Sequence, residues 1–235
     1  MLPMALAQTQ PTETGGLLQS WADAAPGTPP APWRVVGVPG GKVPLLAPDI
    51  APLEGQPVLR LRSDKSYGAL SHAIPAGSEG RYLQWQWRLE QPLANADLRN
   101  KTGDDAALKV CALFDLPLEK IPFVERNLLR VARRVSGEAL PGATLCYLWD
   151  TALPAGTTLN NAYTARVRLR VLNGNGDALG RWVFHKRDLH ADFLAAFGGE
   201  TDTVPPLLAI VTGADADNTG GTSLGFVSRL QLMKQ

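Results

Sequence analysis

A chain of 235 residues can bury a large core without a metal or a disulfide framework, and its length suits one sandwich domain. Its 23 basic and 22 acidic side chains balance, which removes any global electrostatic case for nucleic acid or an anionic membrane. Glycine at 23 and proline at 19, with 45% hydrophobic residues, point to many turns between short strands rather than to disorder.

The first residues carry Ala5-Leu6-Ala7 ahead of Gln8, a small-residue box of the kind that closes a secretory signal. The basic start and full apolar stretch that should precede it are missing, so the box is either a signal remnant or chance. We read 1–31 as a signal remnant and a flexible lead-in, with Trp21 able to dock it, and 32–235 as a single domain. No run of 18 or more apolar residues occurs, so no membrane-spanning helix is expected.

Trp33 to Val38 is the first expected strand, ended by the Pro39-Gly40-Gly41 turn. Leu59 and Leu61 alternate with Arg60 and Arg62, as in a half-buried strand, and Tyr67 to Ile74 forms the next. The plainest alternation follows: Leu83, Trp85, Trp87 and Leu89 lie on one face, with Tyr82, Gln84, Gln86 and Arg88 on the other. A polar loop over 95–105 leads into a strand from Ala107 to Phe114. After Pro122, the residues Val124, Leu128, Val131 and Val135 repeat at helical spacing. Arg126, Arg130, Arg133 and Arg134 fall on a different face, expected to be the solvated one.

Leu145 to Trp149 is strand again. Ala165, Val167, Leu169 and Val171 then alternate with Arg166, Arg168 and Arg170, which places three arginines on one sheet face, expected at the surface. Asn173-Gly174-Asn175-Gly176 reads as a hairpin turn into Leu179 to Phe184. Asp188 caps a short helix to Phe197 that buries Leu189, Phe193 and Phe197, and Gly198 or Gly199 stops it. Leu207 to Val211 is a buried strand, followed by a turn that aims Asp215, Asp217 and Asn218 off its end; Ser223 to Leu232 is the final strand. About ten strands with two helices argue for an all-β, two-sheet sandwich with the helices as insertions. Cys111 and Cys146 fall in strands, either bridged in an exported chain or buried as free thiols.

Six blocks carry a family resemblance: WQWRLEQPL at 85–93, KTGDDAALKVCALF at 101–114, CYLWD at 146–150, NAYTARV at 161–167, GRWVFHKRDLHADFLAAFG at 180–198 and AIVTGADADNTGG at 209–221. In this order they resemble the bacterial family known as domain of unknown function 3047. The resemblance implies an exported protein, periplasmic or secreted, with a jelly-roll-like (galactose-binding-like) sandwich, and it transfers no catalytic role. Its recurring positions map to Trp85, Trp87, Lys101, Gly103, Asp104, Asp105, Trp149, Asn161, Tyr163, Trp182, Arg187, Asp192, Asp217, Asn218 and Gly220. The chain departs from the family's closing aromatic-Gly-Asp-Ile run, reading Phe226-Val227-Ser228-Arg229-Leu230.

Three sets of residues stand out as sites. Asp215, Asp217 and Asn218 offer hard oxygens for Ca2+, the alternative being a turn whose Asp and Asn bond their own backbone. Lys101, Asp104 and Asp105 form a second polar cluster; in a glycoside hydrolase Asp104 or Asp105 would pair with Asp217 or Asp192, an arrangement nothing in the sequence singles out. Trp85 and Trp87 read as core, whereas Trp149 and Trp182 are open to a sugar-stacking role beside Asn161, Tyr163 and Arg187. No catalytic residue is assigned. The expected function is a non-catalytic module for an oligosaccharide or envelope polysaccharide. The alternatives are an envelope-assembly module that binds another protein through its arginines, and a hydrolase built on paired carboxylates.

Overall fold

Period-two alternation along the chain closes into two stacked sheets. The structure, a computed structural model, describes residues 16–38 and 41–234. The small-residue box expected to close a signal, within residues 1–15, and Pro39-Gly40 of the first expected turn lie outside the described residues. A seven-stranded sheet is ordered β1 (Arg34–Val36), β4 (Tyr67–Ala73), β11 (Leu207–Asp215), β6 (Leu108–Phe114), β7 (Ala143–Trp149), β9 (Val167–Asn173), β8 (Thr158–Asn160). A five-stranded sheet is ordered β10 (Val183–Asp188), β5 (Tyr82–Gln91), β12 (Thr222–Met233), β3 (Gln56–Asp64), β2 (Asp49–Leu53). Pairing is antiparallel except between β7 and β9. The fold is thus the all-β, jelly-roll-like sandwich expected, with helices α1 (Phe123–Ser136) and α2 (Leu189–Phe197) added.

The core lies between the sheets. Leu83, Trp85, Trp87 and Leu89 of β5 are fully buried, as their alternation requires. They meet Tyr147 and Trp149 of β7, with ring centroids 5.4 Å apart for Trp85–Tyr147 and 5.9 Å for Trp87–Trp149. Gly225 of β12 lets the sheets approach, because a Cβ there would stand 2.5 Å from Leu108 Cδ2. α2 closes one side with Leu189, Phe193 and Phe197, and Phe193 packs 4.7 Å from Phe114. Its N-cap is Asp188, whose carboxylate accepts from the amides of His190 and Ala191.

Several expectations are corrected. Residues 16–31 are not a flexible lead-in: Leu18 and Trp21 are buried, Leu17 N–H donates to Leu232 O, and Trp33 Nε1 donates to Gln19 O. The turn after Asn173 does not make a hairpin, since β9 and β10 belong to different sheets and residues 174–182 cross between them. The arginines at 166, 168 and 170 are not a free surface row: Arg166 is buried, and Arg168 and Arg170 are only partly exposed. Arg166 and Arg168 donate to Glu200, and Arg170 to Asp192, so these cations meet internal carboxylates beside α2 while Leu169 and Val171 point to the opposite face. α1 starts at Phe123 with Pro122 as N-cap and ends where Gly137 takes φ 70°.

Candidate functional site

The outer face of the seven-stranded sheet is itself apolar. Opposite the core, β6 presents Lys109, Cys111 and Leu113, β7 presents Cys146 and Leu148, β9 presents Val167 and Leu169, and β11 presents Val211 and Asp215. These side chains floor a groove of about 870 Å³, bounded on one side by Tyr67 and Arg34 and on another by the Glu138–Pro141 segment that follows α1. Cys111 and Cys146 are direct cross-strand partners and are bonded as a disulfide in that floor, which settles the choice between bridge and free thiols. An apolar trough with a few convergent polar groups is the usual form of a ligand pocket.

The polar groups gather at one end. The 3-10 turn Lys101–Gly103 brings in Asp104 and Asp105, the β8–β9 connection brings Asn161 and Tyr163, and the loop after β11 brings Asp217 and Asn218. Gly103 is needed there, since a Cβ would stand 2.8 Å from Asp97 N. Asp105 is fully buried and pins the loop: it accepts from Asn218 N–H at 3.1 Å, Thr219 N–H at 2.7 Å and Thr219 Oγ1 at 2.6 Å. Asn161 Nδ2 donates to Asp104 Oδ2 at 2.5 Å, and Asn218 Nδ2 donates to Asp104 O at 3.1 Å. The Tyr163 hydroxyl stands 3.1 Å from both Lys101 O and Asn218 Oδ1, with Lys101 Nζ 5.2 Å from the ring centre. Three chain segments are therefore tied into one polar rim.

Beneath the rim sits an ion pair. Lys109 Nζ is 2.6 Å from Asp215 Oδ2, while Asp215 Oδ1 accepts from Ala106 N–H. Burial works against the Lys109 charge, but the Asp215 carboxylate, helped by Tyr67, outweighs it and holds the ammonium above its ordinary range. Burial pushes the Asp104 carboxyl up, opposed by its bond from Asn161 and reinforced by Asp215. Asp217 is also raised by burial, with the Asp215 and Asp105 charges adding.

Of the residues singled out in the sequence, Lys101, Asp104, Asp105, Asn161, Tyr163, Asp217 and Asn218 meet at this rim, Asp105 as its internal tether. The rest lie elsewhere. Trp149 is 1% exposed and packs in the core, so it is withdrawn as a ligand contact. Trp182 donates to Glu54, whose carboxylate also takes Arg88 of the five-stranded sheet, and does not line the groove. Arg187 donates twice to the buried Asp192, which also accepts from Tyr147 and Arg170; this network fastens α2 rather than facing a ligand. Asp215 does not project off its strand: one oxygen meets Lys109 and the other Ala106 N–H, an arrangement that does not fit a calcium ligand. Among the described residues no group of three or more His, Cys, Asp or Glu side chains is placed to hold a metal. Sequence reasoning missed Lys109 and Tyr67, although a lone lysine inside the apolar 107–114 strand was a visible signal.

The model of the family described as "Protein of unknown function (DUF3047)" matches residues 31–231. No curated protein matches the chain. Among solved structures, the chain is similar to TmCBM61 in complex with beta-1,4-galactotriose, at TM-score 0.41 and 9% identity, over 94% of this chain and 100% of that one. It is also similar to the K2 cleaved adhesin domain of Lys-gingipain, at TM-score 0.38 and 8% identity, over 92% of this chain and 97% of that one. A third is the xyloglucanase domain of NopAA, a type three effector from Sinorhizobium fredii, in complex with cellobiose, at TM-score 0.40 and 8% identity, over 87% and 99%.

Proposed function

The chain belongs to the DUF3047 family, and we propose that it is an exported, non-catalytic binding module whose groove takes a segment of a neutral oligosaccharide or polysaccharide. One observation carries the reading: Lys101, Asp104, Asn161, Tyr163, Asp217 and Asn218 come from three separate stretches and converge at one end of an apolar groove. A sugar ring offers a C–H face and a rim of hydroxyls. Tyr163, 57% exposed, supplies a flat ring for the first. The Asp and Asn side chains supply acceptors and donors for the second.

Charge supports a neutral ligand over an anionic one. Arg34 and Lys109 in the groove and Lys101 at its rim stand against Asp104, Glu138, Asp215 and Asp217, and Lys109 is already neutralised by Asp215. Export, to the periplasm or the cell exterior, accords with a Cys111–Cys146 disulfide, because such bonds persist in oxidising compartments.

The test is a glycan-array screen of the full chain beside Tyr163→Ala, run with calcium and with chelator. Wild type is expected to give a reproducible neutral-glycan hit that survives chelation and is lost in the variant. A blank array, or a hit untouched by Tyr163→Ala, would overturn the reading.

A further inference from the structure

Helix α1 sits on the body with its sides reversed. Val124, Leu128, Val131 and Val135 form one stripe at helical spacing, yet they are 67, 64, 59 and 82% exposed, and Phe123 at the stripe's N-terminal edge is 69% exposed. The helix meets the protein through its other side. Leu129 is its one buried residue, Glu125 lies 3.7 Å from Arg166, and Arg133 donates to Leu140 O. A helix that merely covered the sandwich would turn the stripe inward, because apolar side chains gain free energy by leaving water. Five of the thirteen large apolar side chains exposed among the described residues stand on these 14 residues, which makes a contiguous patch.

The charges beside the stripe indicate its occupant. Arg130 and Arg134, one turn apart, run along its flank and are exposed. The only acidic residue of the helix, Glu125, faces Arg166 on the inner side. An apolar ridge edged by guanidinium groups matches a surface that is apolar below and anionic above, where acyl chains take the valines and leucine and lipid phosphates take the arginines. A second copy fits less well, since antiparallel pairing about the stripe would bring both arginine flanks to one side. The helix is about 21 Å long and would lie flat; among the described residues no helix is long and apolar enough to cross a membrane. The balanced total charge hides this feature because it is local.

We propose that α1 is an interfacial helix that seats the module on an anionic lipid surface, with Leu128 and Val131 at the centre of the buried stripe and Arg130 and Arg134 on the phosphates. The assignment does not depend on the sugar reading, and its assay contains no glycan. The full chain is sedimented with vesicles of phosphatidylcholine alone or mixed with phosphatidylglycerol, at low and high salt. Wild type is expected to pellet with the anionic vesicles at low salt and to be released at high salt. Leu128→Ser/Val131→Ser should abolish pelleting, and Arg130→Gln/Arg134→Gln should weaken it about fivefold per arginine. These side chains point outward, so each variant should melt like wild type; Val124→Ser/Val135→Ser supplies a second test of the stripe. Equal binding to neutral vesicles, variants that pellet like wild type, or a chain that stays in solution with both lipids would each overturn the proposal. If the chain stays in solution and sedimentation equilibrium finds a dimer lost in Leu128→Ser/Val131→Ser, the stripe belongs to a second copy instead.

Discussion

Replacing both Cys111 and Cys146 by alanine removes a cross-link between directly paired residues of β6 and β7 on the groove floor. The bond spans a sequence separation of 35. For a loop of that length the entropy it removes from the unfolded chain stabilises the folded state by about 4 kcal/mol at 25 °C. Both sulfurs are buried, so the alanines also give up apolar contact, which adds to the loss. In a domain of this length such a change lowers the melting temperature by roughly 10 °C. Thermal unfolding followed by circular dichroism tests this on the oxidised wild type, the reduced wild type and the double variant. The last two should both melt well below the first, the double variant the lower because it also lacks the buried sulfurs. An unchanged melting temperature, or two titratable thiols in the native unreduced chain, would refute the reasoning.

Three further outcomes follow from the packing. Trp149→Ala should cost about 3–5 kcal/mol in urea unfolding, because the ring fills the space beside Trp87; a stable variant with lowered glycan affinity would restore it as a ligand contact. Asp105→Asn leaves an amide where two backbone N–H groups and the Thr219 hydroxyl now donate, and should cost about 2–3 kcal/mol while weakening glycan binding by loosening the 217–219 loop. The control is hydrogen exchange at Asn218 and Thr219, which should accelerate; exchange as slow as in wild type would count against the tether. His185 is half-buried against Trp85 and Trp87, and that burial, with the Arg187 charge, pushes its imidazole down to about 4. The unfolded chain takes up this proton near the ordinary value of about 6.5, so the neutral ring's contribution is complete above that pH and is lost as pH falls towards 4. His185→Asn should flatten the stability–pH slope in that window; an unaltered slope would contradict the assignment.

The architecture was largely legible because β5 buries one face only, so Leu83, Trp85, Trp87 and Leu89 announce themselves by alternation. α2 was legible through Asp188 and the spacing of Leu189, Phe193 and Phe197. β9 defeats the same logic because both of its faces are covered. Its apolar row floors a groove, and its arginines turn towards Glu200 and Asp192, which lie far from the strand in sequence. Trp149 was ambiguous for a related reason: every residue of β7 is buried, so periodicity carries no sign of which face meets the core. α1 had the right period, and Arg130 and Arg134 are exposed as expected, but the apolar stripe is exposed with them. A hydrophobic pattern locates a stripe, and only tertiary contacts such as Leu129 and Glu125–Arg166 decide where it points. At the rim, the separate blocks named the residues; their meeting at one end of the groove depends on strand order, which no local pattern encodes.

The groove itself is best tested by titration calorimetry of an array-selected glycan against wild type, Val211→Trp and Trp182→Ala. Val211 lies on the groove floor, so an indole there fills the space a ligand would use, whereas Trp182 lies outside the groove. Binding lost in Val211→Trp, with its melting temperature retained, and preserved in Trp182→Ala is the expected result. Full binding by Val211→Trp, or loss only in Trp182→Ala, would contradict the assignment of the groove as the binding site.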